Sequence, residues 1–264
     1  MAEQIRVAVQ GALGRMGQEI IATLAKEPDM LPVGGMDKFA TVDSLALPGG
    51  SGTIPISTSL ADVIGDADVV VDFTNGEGAA GAIDTVPANG KHLVIGSTGI
   101  PTDAIDRAEK LATEHNVGIF IAPNFTIGVA VMMHLVREAA RFFDYADLLE
   151  THHEAKIDAP SGTALAIAAA AAEAKRGSFN APAAEKELIA GTRGGDHGGV
   201  VIHSARMPGK VAHHEMVFGH VGQTLSIKHD SINRESFMPG VMLAIREIRN
   251  RPGLTIGLDK LMGL

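Results

Sequence analysis

The 264 residues suffice for one large domain or two modest ones, and 45% hydrophobic with 20% charged residues is the composition of a folded globular protein, which excludes wholesale disorder. A formal net charge of -9 excludes a broad electrostatic grip on nucleic acid or anionic lipid, so neither nucleic acid nor membrane is an expected partner. The lack of cysteine removes disulfides, thiolate zinc sites and cysteine nucleophiles. The N-terminus, Met1-Ala2-Glu3-Gln4, shows no basic stretch leading into an apolar export segment, and the apolar run at 164–172 falls far short of the roughly 20 residues of a membrane span. A cytoplasmic protein is expected.

In chain order, the first half alternates short β-branched runs with longer helical patterns, the form that βαβ units around a parallel sheet take. Strands are expected at residues 5–10, 31–36, 68–73, 92–95 and 117–121. Val69-Val70-Val71 and Leu93-Val94-Ile95 are continuously apolar, as strands covered on both faces should be. Between them, residues 16–26 place Ile20, Ile21 and Leu24 on one helical stripe, and residues 102–115 form a helix that Thr102 is expected to cap. After Phe125 the alternation stops. A helix at 127–142 leads to a strand-like stretch, an alanine-rich helix and strands at 200–206, 211–218 and 224–229, joined through glycine turns around Gly209 and Gly219 to Gly222. That pattern predicts a mixed or antiparallel sheet. Residues 179–185, with Asn180-Ala181-Pro182, are the expected mobile loop, and residues 235–249 return to helical spacing. The fold class is α/β: an N-terminal Rossmann dinucleotide-binding domain (1–126), an α+β domain with a mixed sheet (127–234), and a C-terminal segment (235–264) that returns to the first domain.

The first strand runs directly into Gly11-Ala12-Leu13-Gly14-Arg15-Met16-Gly17, which opens the first helix. Glycine lets the backbone turn tightly and approach a pyrophosphate, and the N-H groups of a helix start favour negative charge. Asp37, after the second strand, stands where an acid would accept hydrogen bonds from the adenosine ribose. Alone it repels a 2′-phosphate and points to NADH; Lys38 beside it and Arg15 in the first helical turn offset that, unless Lys38 is a solvated surface charge. NADH, NADPH or both are the expected cofactors. Two further loops, Gly96-Ser97-Thr98-Gly99 and Ala122-Pro123-Asn124-Phe125, follow later strands and are expected to border the nicotinamide.

Glu150-Thr151-His152-His153-Glu154-Ala155-Lys156 brings two histidines and a lysine close to Asp158-Ala159-Pro160-Ser161-Gly162-Thr163, which precedes the alanine-rich helix. Ser161 can cap that helix, and the N-H groups near Gly162 and Thr163 can receive a carboxylate. Lys156 supplies a cation or a proton, and His152 titrates near neutrality unaided, so the residues by themselves leave either as the proton source. The histidine pairs at 152–153 and 213–214 raise the alternative of a metal-binding protein. Adjacent strand side chains point to opposite faces and cannot easily chelate one ion, so no metal site is expected. Another Rossmann imine or aldehyde reductase is the remaining enzymatic alternative, and it accounts for the first domain alone.

Essentially end to end, the chain resembles the 4-hydroxy-tetrahydrodipicolinate reductase (dihydrodipicolinate reductase) family. The carriers are Gly11 to Gly17, Asp72-Phe73-Thr74, Gly96 to Gly99, Ala122 to Phe125, and above all Glu150-x-His152-x-x-x-Lys156-x-Asp158-x-Pro160-Ser161-Gly162-Thr163-Ala164. The resemblance implies reduction of a small cyclic dicarboxylate by NADH or NADPH with loss of water, in diaminopimelate and lysine biosynthesis. It implies His152 and Lys156 as catalytic groups, His153, Ser161, Gly162 and Thr163 as substrate contacts, and a homotetramer built through the second domain. Glu154 and Ala155 stand where family members commonly carry a basic residue at one or both positions, so this site is expected to be less cationic than usual.

Overall fold

The computed structural model describes residues 4–50 and 52–264; Met1 to Glu3, which belong to the stretch read for an export signal, lie outside the described residues. The chain forms β1 (Ile5–Gln10), α1 (Arg15–Leu24), β2 (Met30–Met36), β3 (Ser44–Ala46), β4 (Thr53–Ser57), β5 (Val69–Asp72), α2 (Gly76–Thr85), β6 (His92–Ile95), α3 (Thr102–Glu114) and β7 (Gly118–Ile121). It continues through α4 (Ile127–Ala140), β8 (Tyr145–His152), α5 (Gly162–Ala174), β9 (Gly195–His197), β10 (Val200–Arg206), β11 (Ala212–His220) and β12 (Gln223–Ser231). α6 (Met238–Ile248), β13 (Gly253–Ile256) and α7 (Leu258–Met262) complete it. Two compact units result: one runs to Phe125 and takes in Phe237–Gly263, the other is Thr126–Ser236.

The first unit holds an eight-stranded sheet in the order β13-β7-β6-β5-β1-β2-β4-β3, parallel except where β3 meets β4. The chain moves outward from β1 to β2 on one side and later to β5 on the other. The carboxyl ends of β1 and β5 therefore flank the point where strand order reverses, the place where open α/β sheets form their ligand crevice. Val69, Val70, Val71, Leu93, Val94 and Ile95 are all fully buried, because helices cover both faces of these strands. The helix α2 went unread in the sequence: Gly76, Gly78 and Gly81 depress its helix propensity. Its start is fixed instead by Asn75, whose side chain accepts the Gly78 N-H at 2.9 Å. At α3 the expected capping is corrected: Pro101 is the N-cap residue, without a side-chain hydrogen bond, and Thr102 is already helical.

In the second unit the sheet order is β12-β11-β8-β10-β9, with β8 and β10 parallel and the remaining pairs antiparallel. This mixed sheet packs one face on α4 and α5: Leu148, Met216, Phe218 and Ile202 meet Met132, Val136, Ile167 and Ala168 in one buried cluster. The expected mobile loop is corrected at its start. Phe179 is buried in this core, with its ring 6.1 Å from that of Phe218, and Asn180 N-H donates to the Asp144 carbonyl at 2.8 Å. The exposed stretch begins at Asn180 and runs to Gly198.

Candidate active site

In the first unit the glycine turn is shaped by close backbone approach. Gly11 has φ +83°, and a Cβ on Gly17 would lie 2.1 Å from the Gly11 carbonyl oxygen, so neither position accepts a larger residue without movement. The N-H groups of the turn itself are engaged internally: Gly11 and Ala12 donate to the Met36 carbonyl at 2.8 and 3.1 Å, and Gly14 to the Gly11 carbonyl at 3.0 Å. The amides that a helix start leaves over are those of Arg15 and Met16, in the first turn of α1. The Asp37 carboxylate, mostly buried, accepts Leu13 N-H at 3.0 Å and Phe39 N-H at 3.0 Å. Each oxygen keeps a lone pair for a hydroxyl donor.

A cavity of about 690 Å³ opens here, bounded by Gly11, Leu13, Gly14, Asp37, Lys38 and Thr74 among others. Gln10 also borders it, and its buried Oε1 has no hydrogen-bond partner among the described residues. Lys38 Nζ lies 5.0 Å from the centre of the Phe39 ring. Ala12, expected at the cofactor, is fully buried and can offer only main chain.

The next two loops are tied together beneath the crevice. Asp72, fully buried at the end of β5, accepts the Ser97 hydroxyl at 2.5 Å and the Thr74 hydroxyl at 2.6 Å, and Thr74 N-H donates to Ser97 Oγ at 2.7 Å. Burial pushes the Asp72 carboxyl up to about 6 against the opposing hydrogen bonds from Ser97 and Thr74. A Cβ on Gly96 would strike the Phe73 ring at 2.2 Å, and the Phe73 ring packs at a tilt against that of Phe125, 5.4 Å between centres. Ser97 thus spends its hydroxyl on Asp72, and the Phe125 ring is buried in the core, so these two expected cofactor residues shape the loops from beneath. Ala122 is likewise buried, while Thr98 and Pro123 are exposed and Asn124 is half-buried.

In the second unit, strand parity gathers the polar site. Residues 146, 148, 150 and 152 of β8 point to the helix-covered face, and the register sets Arg206 of β10 beside His152 and His214 of β11 beside Glu150. Apolar residues fill this face at one end and polar ones at the other. The Glu150 carboxylate faces His152 Nδ1 and accepts Arg206 Nη1-H at 3.1 Å and Arg206 Nη2-H at 2.9 Å, with the Ser161 N-H at 3.4 Å. Arg206 Nη2 also donates to the Asp158 carbonyl at 2.6 Å. Burial opposes the charge on Glu150, but hydrogen bonds from Arg206, Ser204 and His152 hold its carboxyl below the usual range. His152 is lowered, first by burial and then by the Lys156 and Arg206 charges, with Glu150 pulling the other way.

His214 is buried with its ring 5.3 Å from that of His152 in an edge-on arrangement, and its Nε2 lies 3.4 Å from Ser161 Oγ. Burial pushes it down to about 4, which keeps it neutral near pH 7. The helix α5 begins at Gly162, and Ser161 caps it by accepting Ala164 N-H at 3.1 Å. A Cβ added at Gly162 meets nothing within 4 Å, so space is open above the helix start. Thr163 is half-buried in its first turn, and His153 lies exposed just past β8. Lys156 Nζ pairs with Asp158 Oδ1 at 2.7 Å. The sequence does not mark Arg206 as a site residue, and it marks His214 only as half of a histidine pair that could bind a metal. The signal for both is a charged or titratable residue at an inward-facing position of a strand, legible only once the pairing of β8, β10 and β11 is known.

Among the described residues, no group of three or more histidine, aspartate or glutamate side chains is placed to hold a metal ion, and no helix is long and apolar enough to cross a membrane. His213, the outward neighbour of His214, pairs with Asp230 at 2.6 Å.

Known proteins match this arrangement along the whole chain. The family model "Dihydrodipicolinate reductase, N-terminus" matches residues 5–125 and "Dihydrodipicolinate reductase, C-terminus" matches residues 128–262. The 4-hydroxy-tetrahydrodipicolinate reductase of Dehalococcoides mccartyi is 47% identical over 262 residues, covering 98% of this chain and 99% of the relative. That of Moorella thermoacetica is 43% identical over 268 residues, with 99% of each chain covered. The solved dipicolinate-bound dihydrodipicolinate reductase of Paenisporosarcina sp. TG-14 is 34% identical, with a TM-score of 0.87 over 97% of this chain and 99% of that one. Matched in both halves by the family models and over nearly its full length by these relatives, the chain belongs to the dihydrodipicolinate reductase family.

Proposed function

We propose that the protein reduces 4-hydroxy-tetrahydrodipicolinate to tetrahydrodipicolinate with NADH or NADPH and loss of water, a step of diaminopimelate and lysine biosynthesis. One observation carries this reading beyond family membership: Glu150, His152, Ser161, Arg206 and His214 converge beside an open helix start. That is a place built for a small planar acid. A relative at 34% identity holds dipicolinate, a planar dicarboxylate.

The first unit fits a dinucleotide. Its glycine turn leaves no room for side chains, and the buried Gln10 Oε1 bordering the cavity has no partner among the described residues. Gly11, Leu13 and Gly14 would let the pyrophosphate come close to the turn, the amides of Arg15 and Met16 would hold it, Asp37 would take the adenosine ribose, and Lys38 a 2′-phosphate when NADPH is used. The main chain of Gly96 to Thr98 and of Ala122 to Phe125 would border the nicotinamide. When bound, the dihydronicotinamide supplies the hydride. NADH and NADPH are both used in this reading, because Asp37 favours one and Lys38 the other.

The second unit binds and protonates the substrate. Gly162 and Thr163 at the α5 start, Ser161 and His153 hold its carboxylates. Lys156 supplies the proton taken up by the ring as the conjugated imine is reduced, and His152 exchanges a proton at Nε2. The open face of the five-stranded sheet exposes Tyr145 and Leu149, and the exposed stretch after Phe179 carries Leu188 and Ile189, which supports assembly into a homotetramer through this unit. Dependence on the NADH and NADPH pools supports a cytoplasmic enzyme.

The test is oxidation of NADH and of NADPH by the purified protein, with substrate generated from pyruvate and aspartate semialdehyde. Turnover inhibited competitively by pyridine-2,6-dicarboxylate is expected. Oxidation of neither cofactor overturns the proposal.

A further inference from the structure

Glu150 and Arg206 have no part in binding or proton transfer in the mechanism above, yet they form a deeply buried ion pair, with the Glu150 side chain fully enclosed and Arg206 only 19% exposed. Burying such a pair costs desolvation that apolar residues of the same size would avoid, so stability alone is a weak reason for it. Its contacts supply a better one. Oε2 of Glu150 faces His152 Nδ1 and Arg206 Nη1, while Oε1 faces Arg206 Nη2 and the Ser161 N-H. The same guanidinium holds the carbonyl of Asp158, whose carboxylate pairs with Lys156. One ion pair thus touches the strand carrying His152, the cap of α5 and the loop carrying Lys156.

We propose that Glu150 is the positioning residue of His152, braced by Arg206, and that it fixes the imidazole tautomer by accepting the Nδ1 proton. A carboxylate can only accept, so Nδ1 carries the hydrogen and Nε2 is the nitrogen presented to the substrate. The two-residue spacing on β8 puts both side chains on one face, and the fork of Arg206 holds the carboxylate plane, so the group facing Nδ1 cannot turn away without breaking two hydrogen bonds. The groups facing His152 are Glu150 from its own strand, Arg206 from β10, His214 from β11, and Lys156 with Asp158 from the following loop. Of these, Glu150 is the acceptor at Nδ1. The assignment rests on the proposed role of His152 in proton exchange.

The tautomer is measurable without turnover. Solid-state nitrogen NMR of the full-length protein, labelled at histidine and assigned by difference from His152→Gln, should show a protonated Nδ1 and an unprotonated Nε2 on His152 near neutral pH. The reverse tautomer overturns the proposal. Glu150→Gln keeps the shape and removes the charge. It should lower kcat about 100-fold or more, the scale of general acid-base catalysis, with substrate KM changed far less. Removing the anion also disfavours the imidazolium, so the acid limb of the kcat/KM profile, where an unprotonated Nε2 is lost, should move to lower pH. A folded Glu150→Gln enzyme whose profile coincides with that of the wild type would overturn the proposal. Should the wild type oxidise neither cofactor, the proposed function fails and the tautomer measurement alone decides the role of Glu150.

Discussion

The Ser97 hydroxyl donates to the buried carboxylate of Asp72 at 2.5 Å, joining the loop after β6 to the loop after β5 below the cofactor crevice. Burial raises the Asp72 carboxyl from 3.8 to about 6 in the folded protein. The folded state therefore holds this proton more tightly than the unfolded chain does. The resulting stability is full below pH 3.8 and is lost as pH rises through about 6.

At about 1.4 kcal/mol per unit, the loss for Asp72 is about 3 kcal/mol. Asp72→Asn keeps the shape and does not titrate. Urea unfolding of both proteins from about pH 4 to pH 7 should show the wild type losing roughly that amount relative to the variant. Parallel pH dependences would contradict the burial of a titrating carboxyl here.

His214 gives the opposite sign. Its imidazole is pushed down from 6.5 to about 4, so the folded state binds its proton less tightly than the unfolded chain. Stability from this group is present above pH 6.5 and lost as pH falls through about 4. His214→Gln should flatten the acid side of the unfolding profile, whatever it does to stability at neutral pH. Acid unfolding as steep in the variant as in the wild type would refute it.

Two glycines separate packing from ligand contact. At Gly17 an added Cβ would lie 2.1 Å from a backbone oxygen, so Gly17→Ala should cost about 1–3 kcal/mol and weaken NADH binding. At Gly162 an added Cβ meets nothing within 4 Å, so Gly162→Ala should change stability by less than about 0.5 kcal/mol while raising the Kd for pyridine-2,6-dicarboxylate. Thermal unfolding and titration calorimetry on the two variants check both halves. Unchanged dicarboxylate affinity in Gly162→Ala would remove the α5 start from the site.

Arg246 on α6 grips the turn before β2, donating to Asp29 Oδ2 and Oδ1 at 2.8 Å each and to Glu27 Oε2 at 2.6 Å. The partners are more than a quarter exposed, so water screens much of the attraction. Arg246→Met should cost only about 1 kcal/mol, read as a Tm lower by a few degrees that narrows at high salt. A fall of many degrees would mean that the clamp matters more than its exposure suggests.

Much of this molecule is legible in its sequence where one signal dominates. The strands at 5–10, 92–95 and 200–206 have the expected bounds, because apolar runs there are cut off by glycine, lysine or proline turns. The helix α2 was hidden because its glycines are kept for close approach: a Cβ at Gly76 would lie 1.9 Å from the Gly99 carbonyl oxygen. Its capping Asn75 is the one local sign of a helix there. In the second unit, the Glu150 to Thr163 segment announces itself, since a dense run of polar residues before an apolar helix is rare. Arg206 gives no such notice, and His214 stands out only as half of a histidine pair that suggests a metal. The place of each beside β8 is set by the sheet pairing, a long-range property.

The common parity of Glu150, His152, Arg206 and His214 also sets a rule for altering the turn between β10 and β11. A register slip by one residue in β11 turns His214 outward to solvent and brings His213 or Glu215 inward. A slip by two restores the facing pattern and moves only the height of the site. Loop changes in this region are therefore counted in pairs, and an odd insertion can disarm the site while leaving a sheet that still folds.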